Sequence, residues 1–578
     1  MSDPTVTVII GAYNAMPYLT RCLESVVEQS LGTYELECLA VDDGSTDGSG
    51  QELDRFAAEY PGTVRVIHQQ NSGGPSGPRN VALGLARGRY VFFLDADDYL
   101  GPHALRRMID MAERNNSDVT LGKYVGVNCS VPRSMFEADQ EVIDLATSRV
   151  WYVLMPHKLM RRSFVEERRL RFDEDIHMGE DRLFVTKAYL QASVISVVAD
   201  EDCYFKVQRD DEGNLTSNFG DVMKRLEVAR RLMTAITTYS EPGPVRDAAL
   251  LRYFRGGLLD SFSWRFPRLE ESDRLKAMEI AKEQLDAFYT PELDVQMTAP
   301  LRLTAHCAQH GLQRELIDII DFLTAERDKQ RPPHEVVVKD GRAYAAYPHL
   351  GDEKAGIPDA CYDVTAGLRQ DDRLDAVEWH RTRRRSVLRL RGHGYIENVD
   401  TRTPATELVL RLRNDGREVR VPTRSTPLPA HIPVQGHACD HSAAGFTADI
   451  DITRALDGTP LPTGVWDVYL NVRAQGLSTQ RRFGARKADD LAPARGGRSG
   501  LLEVKPYYTR GFANLSLHVT AAQQPKKVPK GFKRRVRRKL TGLSKQIGSR
   551  RLGRIARLGR VSGLGRPNRS GGSQRQAP

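Results

Sequence analysis

The stretch Tyr90-Val91-Phe92-Phe93-Leu94-Asp95-Ala96-Asp97-Asp98 decides how the first third of the chain reads. An unbroken apolar and aromatic run of this length suits a strand covered on both faces of a parallel sheet. It ends abruptly in carboxylates. Ligands of parallel α/β sheets sit at the carboxyl ends of the strands, which is where these acids fall. Acids crowded at such an end repel one another and lose hydration. A hard divalent cation would offset both costs, since Mg2+ and Mn2+ prefer oxygen ligands and bridge phosphates.

Upstream of this strand the pattern alternates. Val6-Thr7-Val8-Ile9-Ile10 is a short buried-strand run. After Pro17, the residues Leu19, Cys22, Leu23, Val26 and Val27 recur at helical spacing. A strand at 37–41 ends in Asp42-Asp43-Gly44-Ser45, and Leu53, Phe56, Ala57 and Tyr60 mark the next helix. A strand at 64–67 and a helix at about 79–86 complete the alternation. This predicts an α/β fold with a Rossmann-like, mostly parallel sheet. Downstream, Gly179-Glu180-Asp181 supplies a third acidic site.

A lone D-x-D is a weak signal, because acidic pairs at strand ends are usually solvated turns. Here it closes an ordered set. Gly11-Ala12-Tyr13-Asn14 follows the first strand, Asp42-Asp43-Gly44-Ser45 the second, and the segment from Asn71 to Asn80, with Arg79, the third. On these motifs, residues 5–220 resemble the inverting family-two glycosyltransferases of the GT-A fold. The resemblance implies a nucleotide-sugar donor, usually a UDP-sugar. It implies that Tyr13, Asp42, Asn71 and Arg79 line the nucleoside pocket, with Tyr13 stacking on the base and Asp42 accepting its imide hydrogen. Asp95 then lies near the ribose and diphosphate and, with Asp97, holds Mg2+ or Mn2+. Asp181 matches the family's catalytic base, Glu180 stands beside it, and the segment from Lys158 to Phe164 leads up to it. Arg209, Asn214 and Thr216 fall where the family often meets its acceptor.

The 578 residues are too many for one ordinary domain. Residues 221–333 read as helical, with Leu226, Ala229, Leu232 and Met233 on one face and Leu316, Ile319, Ile320 and Leu323 on another. Beyond Arg331-Pro332-Pro333 the texture turns to alternating strands, with Asp340-Gly341 and Asp415-Gly416 as hairpin signals. Two β-sandwiches, 334–425 and 426–522, are expected there. This layout resembles the bacterial poly(ribitol-phosphate) N-acetylglucosaminyltransferases, which decorate wall teichoic acid and some of which oligomerise through such modules. His437, Cys439 and His441 alternate, but match no closed zinc spacing.

Composition excludes several classes. No apolar run approaches a membrane span, and no secretory leader is expected. Seven cysteines, none in C-x-x-C spacing, favour a reducing cytoplasm. The net charge of +9 conceals an asymmetry: 18 of the 84 Lys and Arg lie in 525–578, which has no acid. The other 66 are outnumbered by 75 Asp and Glu. In this basic tail Phe532, Val536, Leu540, Leu543 and Ile547 form an apolar stripe. That pattern predicts an interfacial helix on the anionic inner face of the plasma membrane, ahead of a nucleic-acid partner. The expected enzyme is a metal-dependent inverting transferase acting on an anionic cell-envelope polymer. A transferase for capsule or lipid-linked glycan, and a non-catalytic carbohydrate-binding protein with a degenerate domain, are the alternatives.

Overall fold

The computed structural model describes residues 3–31, 35–176, 178–209, 221–381, 386–402, 405–428, 439–489, 491 and 495–522. The expected basic tail helix, Asn214, Thr216 and His437 lie outside them.

The first domain is built on β1 (Val6–Ala12), α1 (Tyr18–Val27), β2 (Leu36–Asp42), α2 (Ser49–Glu59), β3 (Val64–His68), α3 (Ser76–Leu85) and β4 (Tyr90–Asp95). After these come β5 (Tyr99–Leu100), α4 (Ala104–Asn115), β6 (Val119–Val127), β7 (Lys158–Arg161), α5 (Arg162–Glu167), α6 (Glu180–Gln191) and β8 (Ile195–Val207). The eight strands form one sheet in the order β3-β2-β1-β4-β7-β6-β8-β5. β3, β2, β1 and β4 are mutually parallel, which aligns Ala12, Asp42, His68 and Asp95 along one rim. This is the GT-A arrangement. Every residue of β2 is buried, as an apolar strand between two helical layers requires. The helix expected at about 79–86 starts earlier, at Ser76, so Arg79 stands inside it rather than at its head.

β7 interrupts the parallel order. It runs antiparallel to both β4 and β6 and returns the chain from a long excursion after β6. Its entry residue His157 is thereby delivered to the end of β4. Side chains alternate along β4: Phe92 lies against Tyr204 of β8, whereas Phe93 meets Phe172 and Phe184 edge-on at 5.1 and 5.5 Å. Phe172 and Phe184 also stack at 4.1 Å. Such pairs add about 0.5–1.5 kcal/mol each beyond burial, and here they pin α6 to the sheet.

Between 222 and 327 the chain is helical, and Leu226, Ala229, Leu232 and Met233 are buried together as their spacing predicts. The helix Val222–Tyr239 packs on the start of α6. Gly179, with φ of 84°, has no side chain, and a Cβ there would stand 2.8 Å from Val228. The next helix, Pro244–Tyr253, is tied to α6 by a 2.6 Å hydrogen bond between the Thr186 and Tyr253 hydroxyls.

The β region departs from expectation at both of its drawn boundaries. The hairpin Val336–Lys339/Arg342–Ala345 stands apart as a two-stranded sheet, and Ala345, Tyr347, Ala355, Ile357 and Tyr362 share the core of the helices. Ala343, with Val336 and Val338, packs on the sandwich core instead, so the segment after the expected boundary at 333/334 is shared between the two. The expected division at 425/426 falls between paired strands. Glu418–Thr426 pairs with Ala405–Leu412 through its first half and with Gly445–Ile450 through its second. It thus belongs to both layers of a single antiparallel sandwich, as strands that turn a corner between sheets do. Leu388, Leu408, Phe446, Trp466, Leu470 and Leu517 fill its one core. Asp415-Gly416 closes a longer loop than a two-residue turn, since the innermost bond runs from the Gly416 N–H to the Leu412 carbonyl.

Candidate active site

At the end of β2 every charge is answered. Asp42 is buried and accepts the Ser45 N–H at 3.0 Å, while its other oxygen lies 3.0 Å from His68 Nδ1. Burial pushes this carboxyl up, but the bonds from Ser45 and His68 outweigh it and leave Asp42 below the usual range. Asp43 accepts from Gln69 Nε2 at 2.6 Å and from the Ser72 N–H and hydroxyl. Asn71 is exposed and folds its own loop by accepting the Gly73 N–H. Tyr13 stands 53% exposed on the rim, free to offer a ring face. Asn14 accepts the Thr46 N–H at 2.8 Å, joining the β1 and β2 loops.

At the end of β4 the charges are crowded. Asp95 takes Arg79 Nη2 at 2.7 Å on one oxygen, and His157 Nε2 lies 2.9 Å from the other. Burial alone would raise Asp95, yet His157 and Arg79 together hold it far below the carboxylate range. Asp98 is buried and accepts from the Tyr204 hydroxyl at 2.5 Å and the Val207 N–H at 2.7 Å. Burial and then the neighbouring Asp95 and Asp97 push it up. Asp97 is pushed up to about 6 by burial and by Asp95, although Arg209 and Lys206 pull the other way. Among the described residues, no ion pair is formed with Asp97.

Arg79 connects this strand end to α6. Its Nη1 reaches Glu180 at 3.1 Å, and its planar head lies over Phe172. Asp181 is close enough for its charge to act on Arg79 as well. Glu180 is buried and raised, to about 7, chiefly by that burial and by Asp181. Asp181, in the first turn of α6, is less buried and spends one oxygen on the Arg182 N–H at 2.7 Å. The two expected catalytic carboxylates therefore differ: Glu180 turns inward to Arg79, and Asp181 remains the more open. Arg209 donates to the Asn14 carbonyl at 3.1 Å and lies over the Tyr18 ring, at the Asp97 side of the site.

Asp95, Asp98 and His157 place their ligand atoms within 4.8 Å of one another, a grouping able to take a divalent cation. Its two carboxylates are the oxygen donors that Mg2+ or Mn2+ takes, whereas the His157 imidazole is a ligand type better suited to Zn2+, Fe2+ or Ni2+, and Asp97, the expected partner of Asp95, is not part of the grouping. Among the described residues, neither ring nitrogen of the buried His157 has an aligned hydrogen-bond partner, which leaves one free to act as a ligand. His157 and Asp98 were not singled out by sequence reading. The first lies one residue before the segment that starts at Lys158, and the second is one more acid directly after the D-x-D.

Three family models match the chain: Glycosyl transferase family 2 over 7–168, the TarS linker domain over 225–320, and the TarS β-glycosyltransferase C-terminal domain 1 over 370–519. The chain is 28% identical, over 531 residues, to the poly(ribitol-phosphate) beta-glucosyltransferase of Bacillus spizizenii, covering 89% of this chain and 78% of that one. Its fold matches the crystal structure of Staphylococcus aureus TarS with a TM-score of 0.60 at 22% identity, over 90% and 86% of the two chains. The structure of TarS residues 1–349 in complex with UDP-GlcNAc matches with a TM-score of 0.51 at 28% identity, over 59% of this chain and 97% of that one.

Proposed function

We propose that this chain, a glycosyltransferase whose catalytic domain belongs to family two, moves a sugar from a UDP-sugar to a hydroxyl of poly(ribitol phosphate) in wall teichoic acid, with inversion. The observation that carries the reading is Arg79, which gathers Asp95 and Glu180 with Asp181 at the end of β4. The ends of β1 and β2 supply the nucleoside side: the open ring of Tyr13 to stack, Asp42 to accept an imide N–H, and Asn71 on the facing loop. Asp95 and Asp97, at the edge of the Asp95–Asp98–His157 grouping, would hold Mg2+ or Mn2+, which when bound neutralises the departing diphosphate. Arg209 adds a fixed positive charge on the Asp97 side, where a phosphate of donor or acceptor fits.

Asp181 is the open carboxylate, and we assign it the acceptor's proton. Glu180 is screened by Arg79 and holds that guanidinium in place instead. A nucleotide leaves as an anion, so a second protonating group is not required. The names of the relatives suggest glucose or N-acetylglucosamine as the sugar. The sandwich would serve oligomerisation or the long acceptor, and the basic tail an anionic membrane surface. No helix among the described residues is long and apolar enough to cross a membrane.

The test is UDP release from UDP-glucose and UDP-N-acetylglucosamine with poly(ribitol phosphate), with and without chelator. Asp181→Asn is expected to keep donor affinity and lose roughly 10²–10⁴-fold in turnover, the range of a general base. Weakened donor binding with unchanged turnover would move Asp181 to the donor pocket. Full activity in excess chelator would remove the cation from the reaction.

A further inference from the structure

His68, the last residue of β3, lies between two carboxylates that come from different elements. Its Nδ1 is 3.0 Å from Asp42 Oδ2 on β2, and its Nε2 is 3.0 Å from Asp54 Oδ1 on α2. The register of the parallel sheet sets the first contact, since His68 is the direct neighbour of Asp42 across the β2–β3 pair. Room for it depends on Gly50. A Cβ at that position would stand 2.8 Å from Asp42 Oδ2 and 3.6 Å from His68 Cε1. Helix α2 thus carries a residue without a side chain where the carboxylate–imidazole pair sits, and an acid one turn later to hold the far nitrogen. An imidazole flanked on both nitrogens by carboxylates is fixed in ring orientation and favours its protonated form, in which both nitrogens donate.

We propose that His68 is a positioning and specificity-determining residue: clamped by Asp54, it keeps Asp42 aimed so that the site selects a nucleobase presenting an imide N–H over one presenting a ring-nitrogen acceptor. This rests on the donor reading above, in which Asp42 faces the base. The chemistry is one of matching. An ionised carboxylate is an acceptor only, so it bonds the N3–H of uracil and faces the N3 lone pair of cytosine with repulsion. A protonated or rotated Asp42 would lose that discrimination, because an acid O–H also donates. The Ser45 N–H already fixes one oxygen of Asp42, and His68 fixes the other. Burial of this carboxylate makes a lost partner costly, since one removed bond leaves a buried acceptor unmet.

The experiment measures UDP and CDP binding calorimetrically to full-length parent, His68→Phe, His68→Gln and Asp54→Asn, beside the kcat and donor KM of each. His68→Phe is expected to weaken UDP about tenfold, the scale of one hydrogen bond to a charged group. It is expected to shrink the preference for UDP over CDP by a similar factor, with kcat at saturating donor changed less than about twofold. His68→Gln, which restores one N–H donor toward Asp42, recovers part of both, and Asp54→Asn gives the same changes at smaller size. If His68→Phe unfolds, Asp54→Asn and His68→Gln carry the decision. A parent that prefers UDP while all three variants keep its affinities overturns the role of His68 alone. A parent that binds neither nucleotide overturns the donor reading, and this inference with it.

Discussion

The strand ends at β2 and β4 carry the same sequence signal, adjacent aspartates after an apolar run, and the fold treats them in opposite ways. At β2 each carboxylate meets backbone N–H groups, hydroxyls, an amide or an imidazole, and Asp42 stays ionised below its ordinary range. At β4 only Asp95 is held low, by His157 and Arg79, while Asp97 and Asp98 beside it, and Glu180 across Arg79 on α6, are pushed up. Satisfied carboxylates make a rigid recognition surface that reads a neutral ligand by shape and hydrogen bonds. Crowded ones store repulsion that a cation relieves on arrival, so their affinity for positive charge is built in. The pair teaches that an acidic cluster is diagnosed by what answers it rather than by its count of acids.

The sharpest way to break this contrast is at Asp97. Asp97→Ala is expected to abolish divalent-dependent UDP binding and lower turnover by about 10³-fold or more, the scale of losing several kcal/mol of charge stabilisation. UDP-release kinetics against Mn2+ concentration check it, and normal activity would mean that the crowding at β4 serves no cation. A smaller effect is expected at the other end. Asp42→Asn should raise the donor KM about tenfold while kcat moves less than about threefold, because a recognition contact acts on binding rather than on chemistry. A large kcat loss there would show that the two ends are not divided in this way.

The smallest effect is in stability, and its sign differs between the ends. An acid raised in the folded state, as Asp97 is to about 6, contributes stability that is full below its unfolded value and lost as pH rises through the folded value. Without metal, Asp97→Asn should therefore stabilise the protein by about 1–3 kcal/mol at pH 8 and leave it unchanged near pH 3. Asp42 is lowered, so its contribution is present above the unfolded value and disappears as pH falls through the folded one. Asp42→Asn should cost stability at pH 8 and progressively less as pH falls below the ordinary carboxylate range. Urea unfolding at the two pH values measures both.

Much of this site is legible in the sequence because parallel strands place their ends in order. Gly11 to Asn14, Asp42, Arg79, Asp95 and Asp97 all follow or flank strands whose apolar runs are unmistakable. What the sequence conceals comes from antiparallel insertion and from pairing at a distance. His157 reaches Asp95 only because β7 slips between β4 and β6, and a four-residue strand carries little periodic signal. His68 ends β3 as an ordinary polar residue, and only the strand register makes it a neighbour of Asp42. Glu180 and Asp181 are adjacent letters with different surroundings, which the helix phase and Arg79 decide. In the β region, alternation reports that strands exist but not which sheet each joins. The strand Glu418–Thr426 serves both layers, so a break in texture after it looks like a domain boundary and is a corner.

The contact between Gly179 and Val228 has a consequence for anyone recombining such enzymes. The backbone that launches α6, where the proposed base Asp181 stands, packs against a residue some fifty positions later, in the helix Val222–Tyr239. A chimera that grafts another helical segment behind this catalytic domain inherits whatever stands at position 228. A bulkier graft there would lever the first turn of α6 away from Arg79, and one that lacks the Tyr253 hydroxyl would leave Thr186 unmatched. On the proposed reading the segment is less a spacer than a back wall to the candidate site, and replacing it reaches the first turn of α6 from a distance.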